Sequence, residues 1–138
     1  MNVDDFFDGY PLSRQIFDHL AAMICEICPA QVRVSKSQVS FRGRKAFAWV
    51  WIPARYLRGR VAPLVLTLVF HRRDISPRWK EIVEPSPGNY THHLELNSIE
   101  DVDNQVRGWL QAAWDDSARQ DNAEIESGGV RDAKQPDH

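Results

Sequence analysis

The spacing of apolar residues changes period twice along this chain, and that change restricts the fold more than any single motif. Residues 12–28 carry Ile16, Leu20, Met23, Ile24 and Ile27 at intervals of three and four, the repeat that puts them on one stripe of a helix. Pro11 suits a first-turn position and Pro29 disfavours helical geometry at Cys28, so both ends are marked. From residue 32 the pattern shortens. Val32/Val34, Val39/Phe41, 46–52 and 64–70 are runs rich in β-branched and aromatic residues, as strands require. Ser35-Lys36-Ser37 and Arg42-Gly43-Arg44-Lys45 are short polar links between the first three and predict hairpins. Residues 53–63 read as an Arg-rich loop and 74–88 as irregular apart from a short strand at 81–83, while 92–96 alternates like a half-buried strand.

The helical period returns at Ile99, Val102, Val106, Leu110 and Ala113. Ser98 reads as the N-cap, forming with Asp101 a variant capping box, and Glu100, Asp101 and Asp103 sit where the helix dipole favours negative charge. Helix, four to five antiparallel strands and helix predict an α+β fold, a two-layer sandwich with both helices packed on one face of the sheet. At 138 residues, 43% of them hydrophobic, the chain suits one globular domain. Beyond Ser117 it is polar and aperiodic, so we expect a single domain over 1–117 and a disordered acidic tail over 118–138. Asp115, Asp116, Asp121, Glu124 and Glu126 read as solvated.

Composition narrows the function classes. No apolar run approaches the roughly 18 residues of a membrane span, and the acidic N-terminus has no signal-peptide leader, which points to the cytoplasm and away from membranes. The formal charge of −2 conceals a segregation: residues 31–80 hold twelve Lys and Arg against Asp74 alone, with acidic segments on either side. Such asymmetry is a statement about fields and partners rather than fold.

The order Ser35-Lys36-Ser37, Phe41, Phe47-Ala48-Trp49, His92-His93-Leu94-Glu95-Leu96, Asp101-Val102-Asp103 and Trp109-Leu110-Gln111-Ala112-Ala113-Trp114 resembles the family called domain of unknown function 5655, over roughly residues 6–117. The resemblance implies a small, uncharacterised bacterial domain and brings no catalytic residues with it. By element order alone the chain is also similar to frataxin-like and iron-chaperone-like domains, a likeness that carries no function.

Three constellations bear on chemistry. Cys25-Glu26-Ile27-Cys28 has redox or zinc spacing, but it ends a helix, where the dipole disfavours thiolate, so an incidental pair is the better reading. His92 and His93 are adjacent on a strand and point to opposite faces. His92 shares the apolar face of Leu94 and Leu96 and reads as a core histidine; His93 shares a face with Glu95 and could serve a small enzyme together with Ser35 or Lys36. Finally, Phe47, Trp49 and Trp51 alternate on one face of their strand amid Arg and Lys. If the helices cover the Ala48, Val50 and Ile52 face, these rings form an open platform for single-stranded nucleic acid or a nucleotide. Otherwise they are core, or are covered by Phe6, Phe7 and Tyr10, or are buried in a dimer.

We therefore expect a non-enzymatic binding module that needs no cofactor and takes an anionic ligand, nucleic acid or a nucleotide, with nucleic acid the leading candidate. The candidate ligand residues are Lys36, Arg42, Arg44, Trp49, Trp51, Arg55, Arg58, Arg60, Arg72, Arg73 and His93. The alternative is a protein-interaction domain or homodimer whose basic and acidic segments neutralise one another.

Overall fold

The computed structural model describes residues 1–126, with side chains through Arg119. A short helix α1 (Val3–Phe6) and the long α2 (Pro11–Ile27) lead into six strands, β1 (Gln31–Val34), β2 (Val39–Arg42), β3 (Ala46–Trp51), β4 (Leu64–Phe70), β5 (Glu81–Ser86) and β6 (Asn89–Leu96). Helix α3 (Asn104–Glu126) closes the fold. Pro11 stands in the first turn of α2 and Cys28 is its extended C-cap, so both proline boundaries act as their backbone restrictions require.

The sheet is wholly antiparallel, in the order β1-β2-β3-β4-β6-β5. Six strands rather than four or five result from the 81–83 run extending to Ser86 and pairing with β6. The order also departs from a simple meander, because β6 inserts between β4 and β5. Leu64, Leu66 and Leu68 on β4 stand opposite Leu96, Leu94 and His92 on β6. With Val39, Phe41, Ala48, Val50 and Ile52 they make one buried surface. The stripes Ile16, Leu20, Ile24 of α2 and Val106, Leu110, Ala113 of α3 belong to the same core cluster, so both helices cover one face. Phe6 and Phe7 also join this core, through ring contacts that run Phe6 to Phe7, Phe7 to Phe17 and Phe17 to Phe41. They do not cover the tryptophans.

Three local expectations are corrected. Phe47 does not share the Trp49 face: the β2–β3 register slips so that Arg42 pairs with Ala46, and Phe47, the extra residue of this bulge, is buried in the core. Ser98 is not the cap of the C-terminal helix. It precedes a 3-10 turn at Ile99–Asp101, and Asp103 caps α3, its Oδ1 accepting from the Val106 N–H at 3.1 Å. The Asp101 carboxylate instead turns back to accept from the Asn97 N–H at 2.8 Å. Asp116 is not solvated; it is buried, accepts from the His71 N–H at 3.0 Å and pairs with Arg119, pinning α3 to the residue after β4. Helix α3 also continues past Ser117 to Glu126, through the first part of the expected tail; the remainder of that tail, 127–138, lies outside the described residues.

The connection from β4 to β5 is held by polar side chains. Asp74 accepts from the Trp79 indole at 2.8 Å and from the Ser76 N–H at 3.1 Å. Arg78 donates to both Asp103 oxygens, to Gln105 and to the Asp101 carbonyl, and its guanidinium lies 5.5 Å from the Trp109 ring centre. Burial acts to raise the Asp103 carboxyl, but the Val106 N–H and Arg78 outweigh it and leave the group below its usual range.

Candidate functional site: the open face of the sheet

With the helices on one side, period-2 alternation sends Trp49 and Trp51 to the other. Register then sets their neighbours. Across the open face, Arg33 pairs with Ser40, Ser40 with Trp49, Trp49 with Thr67, Thr67 with His93, and His93 with Glu81. A parallel row one step along contains Trp51, Val65 and Glu95. One row therefore runs from a cation at the β1 edge, over an indole and an imidazole, to a carboxylate on β5.

The two small residues at the centre are the best covered. Val65 is 4% and Thr67 8% exposed although both described long helices pack on the opposite side. Trp49 and Trp51 are half-buried, as indoles lying against the sheet with one side toward solvent would be. Trp51 is extended outward by Tyr56, at 6.4 Å between ring centres, and Tyr56 itself is 55% exposed.

His93 shares a hydrogen bond of 2.8 Å between its Nδ1 and Thr67 Oγ1, while Nε2 has no protein partner among the described residues. Burial lowers its pKa, against an opposing pull from Glu81, so the ring is neutral at neutral pH. Lys80 lies 3.9 Å from the Glu95 carboxylate. The neutral imidazole, the carboxylate and the indoles suit stacking and edge hydrogen bonding. Nucleophilic chemistry at Thr67 finds no support, because β4 is paired on both sides and its backbone N–H groups are committed to the ladder rather than to an oxyanion.

The predicted cations do not converge. Arg42, Arg44 and Lys45 flank the start of β3, and Arg72 and Arg73 follow the end of antiparallel β4, at the same end of the sheet. Lys36, Arg55, Arg58 and Arg60 lie at the other end, separated by the six residues of β3, about 20 Å. Arg55 is committed to the fold, 5.1 Å over the Phe6 ring, and Arg73 stands 5.8 Å over Tyr90. Arg72 lies 3.9 Å from Asp74, whereas Arg58 and Arg60 are exposed. Ser35 and Lys36 are on the β1–β2 turn, with β2, β3 and β4 between them and His93, so the enzyme constellation is not assembled. The Ser35 hydroxyl is used within its own turn, donating to the Gln38 carbonyl and accepting from the Ser37 and Gln38 N–H groups.

Sequence reasoning missed Ser40, Thr67, Glu81 and Tyr56. Thr67 carried a signal: it is the one polar residue in the β4 run Leu-Val-Leu-Thr-Leu-Val-Phe. Cys25 and Cys28 are free, one exposed and one buried, and burial raises the Cys28 thiol. Among the described residues no cluster of His, Cys, Asp or Glu is arranged to hold a metal ion. No helix among them is long and apolar enough to cross a membrane.

These features define a two-layer α+β domain with one helix-covered and one open aromatic sheet face. The family model described as Domain of unknown function (DUF5655) matches residues 3–117, and the chain belongs to that family. No curated protein and no solved structure matches it, so the likeness to frataxin-like domains finds no support.

Proposed function

We propose that this domain is a non-enzymatic binding module for single-stranded nucleic acid, which lies along β3 on the open face. The observation that carries the reading is the line of Trp49, Trp51 and Tyr56 on the side away from both helices, with arginines in the turns at either end of that strand. Alternate residues of a strand are about 6.6 Å apart, a spacing an extended, unstacked polynucleotide can match base by base. Aromatic rings stack on any base, and Arg44 before the strand with Arg58 and Arg60 beyond it supply phosphate contacts at both ends.

Titration of a labelled ten-nucleotide oligomer, followed by tryptophan fluorescence at several salt concentrations, tests the reading. Affinity should fall linearly on a log-log plot, by about 0.7 per neutralised phosphate. Trp51→Ala should weaken binding at least fivefold, and the double change of Arg58 and Arg60 to Gln should reduce the slope by about 1.4. Absence of binding at low salt, or affinity indifferent to salt, overturns the proposal. Concentration-dependent self-association that hides the tryptophans would instead support the dimer.

A further inference from the structure

The open face is charged asymmetrically from strand to strand, and this bears on how a ligand lies on it. Arg33 is at the β1 edge, whereas Glu95 and Glu81 are on the β6 and β5 side, beyond the indoles. A carboxylate repels phosphate but accepts hydrogen bonds from the N–H groups on a base edge. Glu95 is placed for that role: it shares a cross-sheet row with Trp51, its side chain is 40% exposed, and Lys80 stands 3.9 Å away. His93, in the next row beside Trp49, keeps Nε2 without a protein partner among the described residues.

We infer that the strand binds with its phosphates toward β1 and β2 and its bases pointing across β4, and that Glu95, aided by His93, selects bases bearing an exocyclic amino group. The inference rests on the nucleic-acid reading above. It names cytosine, adenine and guanine as preferred over thymine and uracil. A carboxylate can only accept: an exocyclic amino group donates to it at the rim of the base, whereas the single N3–H donor on the thymine or uracil edge is flanked by two carbonyl oxygens that repel the carboxylate.

The test compares oligo-dC and oligo-dT of ten nucleotides, on wild-type protein and on Glu95→Gln, at one salt concentration and then across a salt series. The wild type should prefer dC by fivefold or more. Glu95→Gln removes a negative charge and should tighten both oligomers, so the ratio is the readout: it should fall toward one, because an amide both donates and accepts, with the salt slope unchanged. Equal affinity of the wild type for dC and dT, or a preference that survives Glu95→Gln, overturns base selection while leaving nucleic-acid binding intact. Failure of both oligomers to bind at low salt overturns both proposals. His93→Gln should reduce the dC preference by less than Glu95→Gln does.

Discussion

His92 and His93 are neighbours in the chain, and they show how differently the two faces of the sheet use the same side chain. On the covered face His92 is fully buried between Phe70 and Trp79, at 4.6 and 4.8 Å between ring centres. Its Nδ1 donates to the Tyr90 carbonyl at 3.0 Å and its Nε2 accepts from the Asp74 N–H at 3.0 Å, so both valences are filled by backbone. On the open face His93 is half-buried, shares one nitrogen with Thr67, and has no partner at the other among the described residues. The covered face has thus committed its polar groups to the fold, whereas the open face retains hydrogen-bonding capacity beside aromatic rings. Function is to be sought where such capacity remains.

The largest test of this contrast exchanges stability for binding. Leu66→Ala on the covered face should cost about 2–5 kcal/mol, because the helices can only partly collapse onto the gap. Trp51→Ala, on the open face, should cost about 1 kcal/mol and yet remove most of the oligonucleotide affinity. Thermal or denaturant unfolding of both variants measures the difference. A Trp51 variant as unstable as the Leu66 variant would mean that the open face is core.

A second test uses acid. Burial lowers the pKa of His92 from its usual 6.5, with the Tyr90 carbonyl and Asp74 opposing that shift and Arg73 and Arg72 adding to it. The folded state thus favours the neutral ring, and protonated Nε2 would confront the Asp74 N–H. The sign follows: this stability is fully present above about pH 6.5 and is lost as pH falls through the lower folded value. Tm should drop between pH 6.5 and 5 in the wild type, and His93→Gln should retain most of that drop. A Tm constant over this interval would contradict the burial of a neutral His92.

Periodicity made both long helices legible and divided the strand residues between two faces, but it left open which face the helices cover. Ile16, Leu20 and Ile24, and Val106, Leu110 and Ala113, lie where their spacing put them, and the alternation of Trp49 with Val50 is what opens the aromatic face. What escaped was set by long-range pairing. The insertion of β6 beside β4 depends on register between Leu64 and Leu96, which no local pattern encodes. Phe47 was misassigned because one bulge residue reverses the parity on which alternation rests. The dense basic segment suggested one patch, but successive turns of an antiparallel sheet fall at opposite ends, so Arg44 and Arg58 are separated by the length of β3. Ser98 looked like the cap because it precedes the apolar repeat, while Asp103 has the hydrogen bond to the third helical N–H.

The smallest test is the most local. Thr67→Val preserves shape but removes the hydroxyl that shares a 2.8 Å hydrogen bond with His93 Nδ1. Unfolding stability should change by about 1 kcal/mol or less, because His93 is half-buried and water can replace the lost partner. The ring should respond more clearly than the stability. With Thr67 present, the hydroxyl selects one tautomer: if it donates, Nε2 carries the proton, and if it accepts, Nδ1 does. Without it the two forms should approach the balance of a solvated imidazole, which the 15N shifts of the His93 ring would record. His92 should be unmoved in the same spectrum, because a carbonyl that only accepts and an N–H that only donates fix it as the Nδ1–H form. Unchanged His93 shifts would show that Thr67 does not orient the ring, and the aid His93 gives Glu95 would then have to come from strand register alone.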